Sequence, residues 1–154
     1  MKSLVVYYSL QGNTRMIAES VARAAEADVL ELKPKASLRP AGFMKFVWGG
    51  AQVFSRQQPE FESFDRNPPD SDLIFVGSPV WAGTYAPALL SFFAAAKPEG
   101  RQVALFCCHG GCKGRVFSTM TEAMAGNRVV AKIDFREPLR GDRDSAASRA
   151  AEWA

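Results

Sequence analysis

Hydrophobic and polar positions follow two patterns that alternate along the chain. Leu4 to Tyr8 is a continuous run of apolar, β-branched and aromatic residues, which is typical of a strand buried on both faces of a parallel sheet. After the polar segment Ser9 to Thr14, apolar side chains recur at helical spacing up to about Ala27. The chain therefore opens with a strand, a polar loop and a helix.

The same order of strand and helix repeats further along the chain. Short apolar runs predict four more strands, at Val29 to Leu32, Leu73 to Val76, Val103 to Cys107 and Val129 to Phe135. Helices are predicted around Phe43 to Phe54, Ala86 to Ala96, Val116 to Ala125 and Arg143 to Trp153. Five strands alternating with helices indicate a doubly wound α/β sheet, in which ligands bind beyond the carboxyl ends of the strands.

Length and composition favour one globular domain over residues 1–154, since 47% of the residues are apolar and 23% are charged. The most apolar stretch, Tyr85 to Ala96, is interrupted by Pro87 and is shorter than the roughly 20 residues of a membrane span. The aromatic segment Leu38 to Phe64 has two interpretations, packing against the sheet or docking of a partner. We expect no membrane span.

Charge and cysteine content narrow the functional classes. The net charge is only +3 and the basic residues are scattered, so nucleic acid is not expected as a partner. The three cysteines, Cys107, Cys108 and Cys112, lie within six positions and cannot form the dispersed disulfide framework of a small secreted domain. With no signal-peptide pattern at the start, we expect a cytoplasmic protein.

The loop after the first strand has the chemistry of a phosphate site. It precedes a helix, whose free N–H groups and positive dipole end favour an anion. It lacks the lysine of a nucleotide-hydrolysing loop and the three spaced glycines of a dinucleotide site, so neutral donors holding one phosphate are expected. An ordinary turn with Asn13 or Thr14 as helix cap is the alternative. The candidate residues are Ser9, Gln11, Gly12, Asn13 and Thr14.

The loop after the third strand, Gly77 to Pro87, presents aromatic side chains between glycines. A planar ligand could stack on Trp81 there, although Trp81 could instead fill the core. The loop after the fourth strand, Cys107 to Arg115, reaches the same edge of the sheet and carries His109, the only histidine. We expect His109 either to contact the ligand or to pack in the structure.

The cysteine loop allows three other chemistries. A cysteine-based phosphatase is disfavoured, because His109 stands where Arg115 would require the catalytic cysteine. A zinc site from the three cysteines and His109 is disfavoured because adjacent strand residues point to opposite faces. A redox disulfide between Cys108 and Cys112, or buried inert thiols, remain open. We assign no metal ligand and no catalytic residue.

Together the three loops resemble the flavodoxin family, in particular its short members with a Trp-Ala-Gly-Thr loop. The resemblance covers essentially the whole chain and implies a five-stranded parallel sheet in the order 2-1-3-4-5, with helices on both faces. It implies FMN as the cofactor, with its phosphate on the first loop. It also implies that the second and third loops enclose the ring, through Pro79, Val80, Trp81, Ala82, Gly83, His109, Gly110 and Gly111.

The chain departs from the family pattern at several points. Gln11 replaces a hydroxyl residue, and His109 stands where many members place an aromatic, so Tyr85 is an alternative cover for that ring face. The family is usually acidic, whereas this chain is positive. The third loop carries Lys113 and Arg115 and no carboxylate, which predicts that a reduced, anionic flavin is well tolerated.

The expected function is electron transfer between protein redox partners through non-covalently bound FMN, by a monomer or homodimer. The first alternative is an FMN-dependent reductase of the quinone or NAD(P)H type with the same fold. The second is a thiol-based redox protein that uses Cys108 and Cys112. An FMN-free regulatory module is a third possibility, but the strand ends lack the acidic cluster of a phospho-acceptor domain.

Overall fold

The computed structural model describes residues 1–33 and 68–154. Within them, five parallel strands form one sheet in the order β2-β1-β3-β5-β6, and a short strand β4 pairs antiparallel with the end of β3. The strands are β1 Ser3–Tyr7, β2 Asp28–Glu31, β3 Leu73–Trp81, β4 Thr84–Tyr85, β5 Gln102–His109 and β6 Arg128–Arg136. The four α-helices of this part of the chain are α1 Asn13–Ala24, α2 Pro87–Ala96, α3 Val116–Ala123 and α4 Arg143–Trp153. A 3₁₀ turn, Pro68–Asp70, precedes β3.

This order confirms the predicted sheet. When β4 is set aside, the five parallel strands follow the order 2-1-3-4-5, and each occupies a predicted apolar run within a few residues. Helices cover both faces, because α1 and α4 pack on one side with Ile17 and Ala150, while α2 and α3 pack on the other with Phe92 and Met120. Alternate residues of the buried strands enter the two cores in turn, as the pleat of a strand requires.

One strand is longer than its apolar run predicts. The run ends at Val76, but β3 continues to Trp81, since Gly77, Ser78 and Pro79 pair with β5 even though glycine and proline are poor strand formers. The far end of β3 then pairs with β4, which the sequence did not predict. The extension carries the second predicted loop out past the edge of the sheet, where the site lies.

The predicted helix Phe43 to Phe54 and the aromatic segment Leu38 to Phe64 fall outside the described residues. The remaining predicted helices differ from the structure by one to three residues at their ends, and Arg143–Trp153 agrees at both. None of the helices in residues 1–33 and 68–154 is both long enough and apolar enough to cross a membrane.

Candidate functional site

A cleft of about 120 Å³ opens at the carboxyl ends of β1, β3 and β5. This is the edge where a doubly wound sheet binds its ligands, because the strand order reverses there. All the predicted site residues line the cleft except Gly12, Gly83 and Gly111. Its walls are Ser9, Leu10, Gln11, Asn13, Thr14, Pro79, Val80, Trp81, Ala82, Cys108, His109, Gly110 and Glu137.

The first loop is held by one serine. The Ser9 Oγ accepts hydrogen bonds from the N–H groups of Gly12 (3.1 Å) and Arg15 (3.2 Å), which folds the loop against the start of α1. Gly12 is the N-cap residue of α1 at φ +97°, a left-handed conformation that glycine adopts without cost. The cap supplies no side-chain hydrogen bond, so the first-turn N–H groups of Asn13 and Thr14 face the cleft end of the helix without an intrahelical acceptor.

Two polar side chains of this loop are already engaged. The Asn13 Oδ1 accepts from the Leu139 N–H at 2.9 Å, which ties the first loop to the loop after β6. Thr14 is buried and hydrogen-bonds the thiol of Cys108, although burial dominates and raises the pKa of Cys108 to about 12. The cap residues of the alternative are wrong, because the N-cap of α1 is Gly12 and not Asn13 or Thr14.

The second loop is a hairpin. Trp81 pairs with Thr84, and the two residues between them, Ala82 and Gly83, have φ of +48° and +76°. Positive φ at both loop positions is the requirement of the type I′ turn that suits tight hairpins. Trp81 is half-buried, and its ring meets Tyr8 edge-on with centroids 5.7 Å apart, so one edge is anchored while the side chain still lines the cleft.

The tip of the hairpin packs against the third loop. The carbonyl of Gly83 accepts from the Arg115 N–H at 2.8 Å, and Gly83 and Gly114 lie so close that a Cβ on Gly114 would be 2.6 Å from the Gly83 Cα. Gly83 thus supports the cleft without lining it. Tyr85, the alternative ring cover, is not in the cleft wall; its ring packs edge-on against Phe93 at 5.3 Å.

The third loop places His109 in a polar network. Only 9% of the His109 side chain is exposed, and its Nε2 lies 2.9 Å from the Asp134 Oδ2. The Lys113 Nζ donates to the other Asp134 oxygen at 2.8 Å. These two donors, Lys113 first, hold the pKa of Asp134 below its usual value. The His109 Nδ1 is buried and finds no hydrogen-bond partner among the described residues.

Sequence reasoning missed four residues of this site. Leu10, Cys108 and Glu137 line the cleft, and Asp134 holds His109 from the neighbouring strand. Glu137 follows β6 directly at φ +37°, and its N–H donates to the His109 carbonyl at 2.9 Å. The position of Glu137 at the cleft could have been predicted, because Glu137 follows the fifth predicted strand and the carboxyl ends of parallel strands share one edge.

The cysteines do not form a common site. Cys107 and Cys108 enter the cores on opposite faces of the sheet, Cys112 is exposed, and all three are free. Within residues 1–33 and 68–154, no three histidine, cysteine, aspartate or glutamate side chains are grouped to hold a metal ion. Side chains alternate between the two faces along β5, so Cys107 and Cys108 lie on opposite faces of the sheet, as the strand pattern predicted.

Comparison with known proteins agrees with the fold. The flavoprotein of Lactobacillus acidophilus NCFM, solved in complex with FMN, is 26% identical and matches with a TM-score of 0.74 over 94% of this chain and 98% of its own. A flavodoxin from the domain Archaea is 19% identical, with a TM-score of 0.61 over 99% of this chain and 93% of its own. The two-electron reduced flavodoxin of Megasphaera elsdenii is 17% identical, with a TM-score of 0.59 over 99% of each chain.

A search of the curated proteins finds no significant match. The family model described as flavodoxin matches residues 2–129, which include all three loops of the cleft and the strands that carry them. This match confirms the family that the loop sequences resemble. The chain belongs to the flavodoxin family.

Proposed function

We propose that the protein binds FMN non-covalently in the cleft and carries electrons through it between protein partners in the cytoplasm. The observation that carries this proposal is the convergence on one cleft of a helix N-terminus, an aromatic side chain and a histidine ring with one unpartnered nitrogen. The solved relative from Lactobacillus acidophilus NCFM supports the choice of ligand, because it was obtained in complex with FMN. The free cysteines are compatible with a reducing compartment.

The first loop suits the phosphate of FMN. The first turn of α1 has no acidic residue, so its partial positive charge is not cancelled locally. Arg15 is engaged by Glu31, which leaves neutral donors. These are the backbone N–H groups, the Gln11 amide and the hydroxyls of Ser9 and Thr14, of which Thr14 must turn from Cys108 to the phosphate. We therefore expect the FMN phosphate to be held by hydrogen bonds from neutral donors and by the positive end of the helix dipole.

The other end of the cleft suits a flat ring. Trp81, Pro79 and Val80 line the cleft from the second loop, and His109 and Gly110 line it from the third, so a planar group can pack against both loops. When bound, FMN supplies reversible one- and two-electron chemistry at its ring. The residues of the chain position the ring, exclude water from one side of it and set the charge around it.

An electron carrier is favoured over the two alternatives. The thiol hypothesis pairs Cys108 with Cys112, but Cys112 is exposed whereas Cys108 is buried, and burial raises the pKa of Cys108. A reductase needs a place for a nicotinamide nucleotide, and the sequence contains no second nucleotide-binding motif. A carrier needs only a bound flavin with an accessible edge and a partner surface.

The direct test is the cofactor itself. We expect the purified protein to be yellow and to release FMN, rather than FAD or riboflavin, on acid or heat treatment, with chromatography identifying the flavin. The loaded protein should oxidise NADH or NADPH in the presence of a quinone no faster than free FMN does. Rapid, saturable turnover would favour the reductase alternative, and a colourless protein that does not take up FMN would overturn the proposal.

A matched pair of variants tests the phosphate end. Thr14→Val removes the hydroxyl at the cleft and should weaken FMN binding about 10- to 100-fold, the range for a hydrogen bond to a charged group, while riboflavin affinity stays unchanged. Thr121→Val on α3 also removes a helical hydroxyl, but outside the cleft, and should bind both flavins normally. Fluorescence titration gives both constants. Equal losses for FMN and riboflavin in Thr14→Val would contradict the assignment.

A further inference from the structure

The Nε2 of His109 is hydrogen-bonded, whereas its Nδ1 has no hydrogen-bond partner among the described residues. An ionised carboxylate can only accept hydrogen bonds, so the 2.9 Å contact with Asp134 places the ring proton on Nε2. In this tautomer Nδ1 carries the lone pair, and it is the atom that has no hydrogen-bond partner among the described residues. Buried polar atoms are nearly always paired, so a vacant Nδ1 in the wall of a ligand cleft points to a role that the ligand-free protein leaves unused.

The charged side chains around His109 are largely paired with one another. Among residues 1–33 and 68–154, β6 and the loops after β5 and β6 bring Asp134, Arg136, Lys113 and Glu137 to this edge of the sheet. Arg140 pairs with Glu137, and Arg149 donates to the Asp134 carbonyl. Cys107, two residues earlier on β5, has a pKa raised by burial and is neutral. An additional negative charge in the cleft would favour the protonated form of the histidine.

We propose that His109 takes up a proton when a ligand in the cleft becomes anionic, and that Asp134 is the positioning residue that fixes its tautomer. The inference rests on the proposed function, since reduction of FMN is the event that adds the charge. With FMN bound, two electrons from a reductant and one proton from solvent would make the flavin anionic. A second proton from solvent would then bind Nδ1, while Nε2 keeps its hydrogen bond to Asp134.

The only histidine of the chain makes the test direct. In FMN-loaded protein labelled with ¹⁵N-histidine, the two ring nitrogens report the tautomer and the titration without assignment by mutagenesis. We expect the Nε2–H tautomer in the oxidised protein and an at least tenfold higher proton affinity of His109 after anaerobic reduction with dithionite. The same titration in both redox states would overturn the proposal.

Three variants distinguish an electrostatic effect on His109 from a purely structural one. Asp134→Asn should lower the proton affinity of His109 in both redox states, whereas Lys113→Gln should raise it, because the two residues carry opposite charges beside the ring. His109→Gln keeps a polar side chain that cannot titrate. If it retains FMN, its midpoint potential should depend on pH by about 30 mV per pH unit less, because one proton fewer accompanies two electrons.

Failure of this inference is distinguishable from failure of the proposed function. A protein that takes up no FMN overturns the proposed function, whatever the histidine does. A protein that holds FMN, but in which His109→Gln leaves the pH dependence of the potential unchanged, overturns the proton uptake alone. A purely structural role for His109 would lower stability and FMN retention without changing that slope.

Discussion

At the scale of single residues, Trp81 is the side chain on which ring binding most depends. Its indole is held edge-on by Tyr8 and lines the cleft from the hairpin. Trp81→Ala should weaken FMN binding by about 1 to 3 kcal/mol, because a buried aromatic contact and its area are lost. Flavin fluorescence should also rise in the complex.

Trp81→Phe is the control, since it keeps an aromatic ring at the same position. It should retain most of the affinity, measured by the same fluorescence titration. If Trp81→Ala binds FMN as tightly as the parent protein while its unfolding free energy falls, Trp81 serves the core and not the ligand.

Ala82 carries backbone strain that asparagine would relieve. Its φ of +48° costs about 1 to 2 kcal/mol for a residue with a Cβ, and asparagine tolerates this region better. Ala82→Asn gives the Asn-Gly pair preferred in such hairpins and should raise the unfolding free energy by about 0.5 to 1 kcal/mol. Gly83→Ala, at φ +76°, should lower it. Urea unfolding measures both, and a destabilised Ala82→Asn would contradict the strain argument.

Residue types predicted the cleft better than they predicted contacts within it. Hydroxyls, glycines and Trp81 after strand ends were sufficient to locate the cleft, because parallel strands end at one edge. The partner of His109 was not predictable, since Asp134 is 25 residues away and meets it only through the pairing of β5 with β6. For the same reason nothing in the sequence indicates that Leu139 contacts Asn13.

At the scale of elements, the second and third loops are one structural unit. The Gly83 carbonyl accepts from the Arg115 N–H, the Thr84 and Thr119 hydroxyls lie 2.8 Å apart, and Gly114 touches Gly83. The hairpin that presents Trp81 is therefore supported by the residues that begin α3. A substitution in the third loop should therefore also change the position of the second loop, which presents Trp81 to the flavin ring.

Gly114→Ala tests that coupling. The added Cβ would lie 2.6 Å from backbone of the hairpin, in a residue already at φ +51°, so the two loops must separate. We expect a loss of about 1 to 3 kcal/mol in unfolding free energy, together with weaker FMN binding. Gly111→Ala is the matched control, because its Cβ would meet nothing within 4 Å. Equal behaviour of the two variants in urea unfolding and flavin titration would show that the loops act separately.

Apolar runs predicted where strands begin better than where they end. β3 continues past its apolar run because Gly77 lies flat against the Phe106 ring and Ser78 is fully buried, accepting from the Ala86 N–H at 2.9 Å. These are tertiary contacts that override weak strand preference. The hairpin could be foreseen only in part, because Ala82 lacks the residue type that such turns favour.

At the scale of the whole molecule, the sheet order was predictable because alternating strands and helices allow few topologies. The charge around the cleft was not predictable in the same way. The third loop by itself has no carboxylate. However, β6 and the loop that follows it place Asp134 and Glu137 at the same edge, and Asp134 pairs with Lys113. The expectation that a reduced flavin meets mainly positive charge is therefore incomplete, because it considered one loop of an edge shared by four.

Electrostatic steering should nevertheless favour acidic partners. The chain carries a net charge of +3. Three basic side chains at the cleft edge are engaged by carboxylates, in the pairs Arg15 with Glu31, Lys113 with Asp134 and Arg140 with Glu137. Arg115 and Arg136 are exposed beside the cleft and have no ion pair among the described residues. They are the side chains best placed to attract an acidic protein to the flavin edge.

The prediction is that electron transfer from an acidic iron–sulfur protein to the bound flavin slows as salt rises, since the Debye length falls from about 10 Å at 0.1 M to 3 Å at 1 M. Arg115→Glu combined with Arg136→Glu should slow the reaction by about tenfold or more at low salt and flatten its salt dependence. Stopped-flow absorbance of the flavin gives the rate.

The control must change the charge without changing the cleft edge. Arg23 is exposed near the carboxyl end of α1, and the amino end of that helix is the one that meets the cleft. Since ten residues of helix span about 15 Å, Arg23 lies beyond a Debye length from the site at 0.1 M salt. Arg23→Glu should therefore alter the rate far less than Arg115→Glu or Arg136→Glu alone, each of which makes the same change in net charge. If all three variants slow the reaction equally, total charge governs the encounter, and the cleft edge is not where an acidic partner docks.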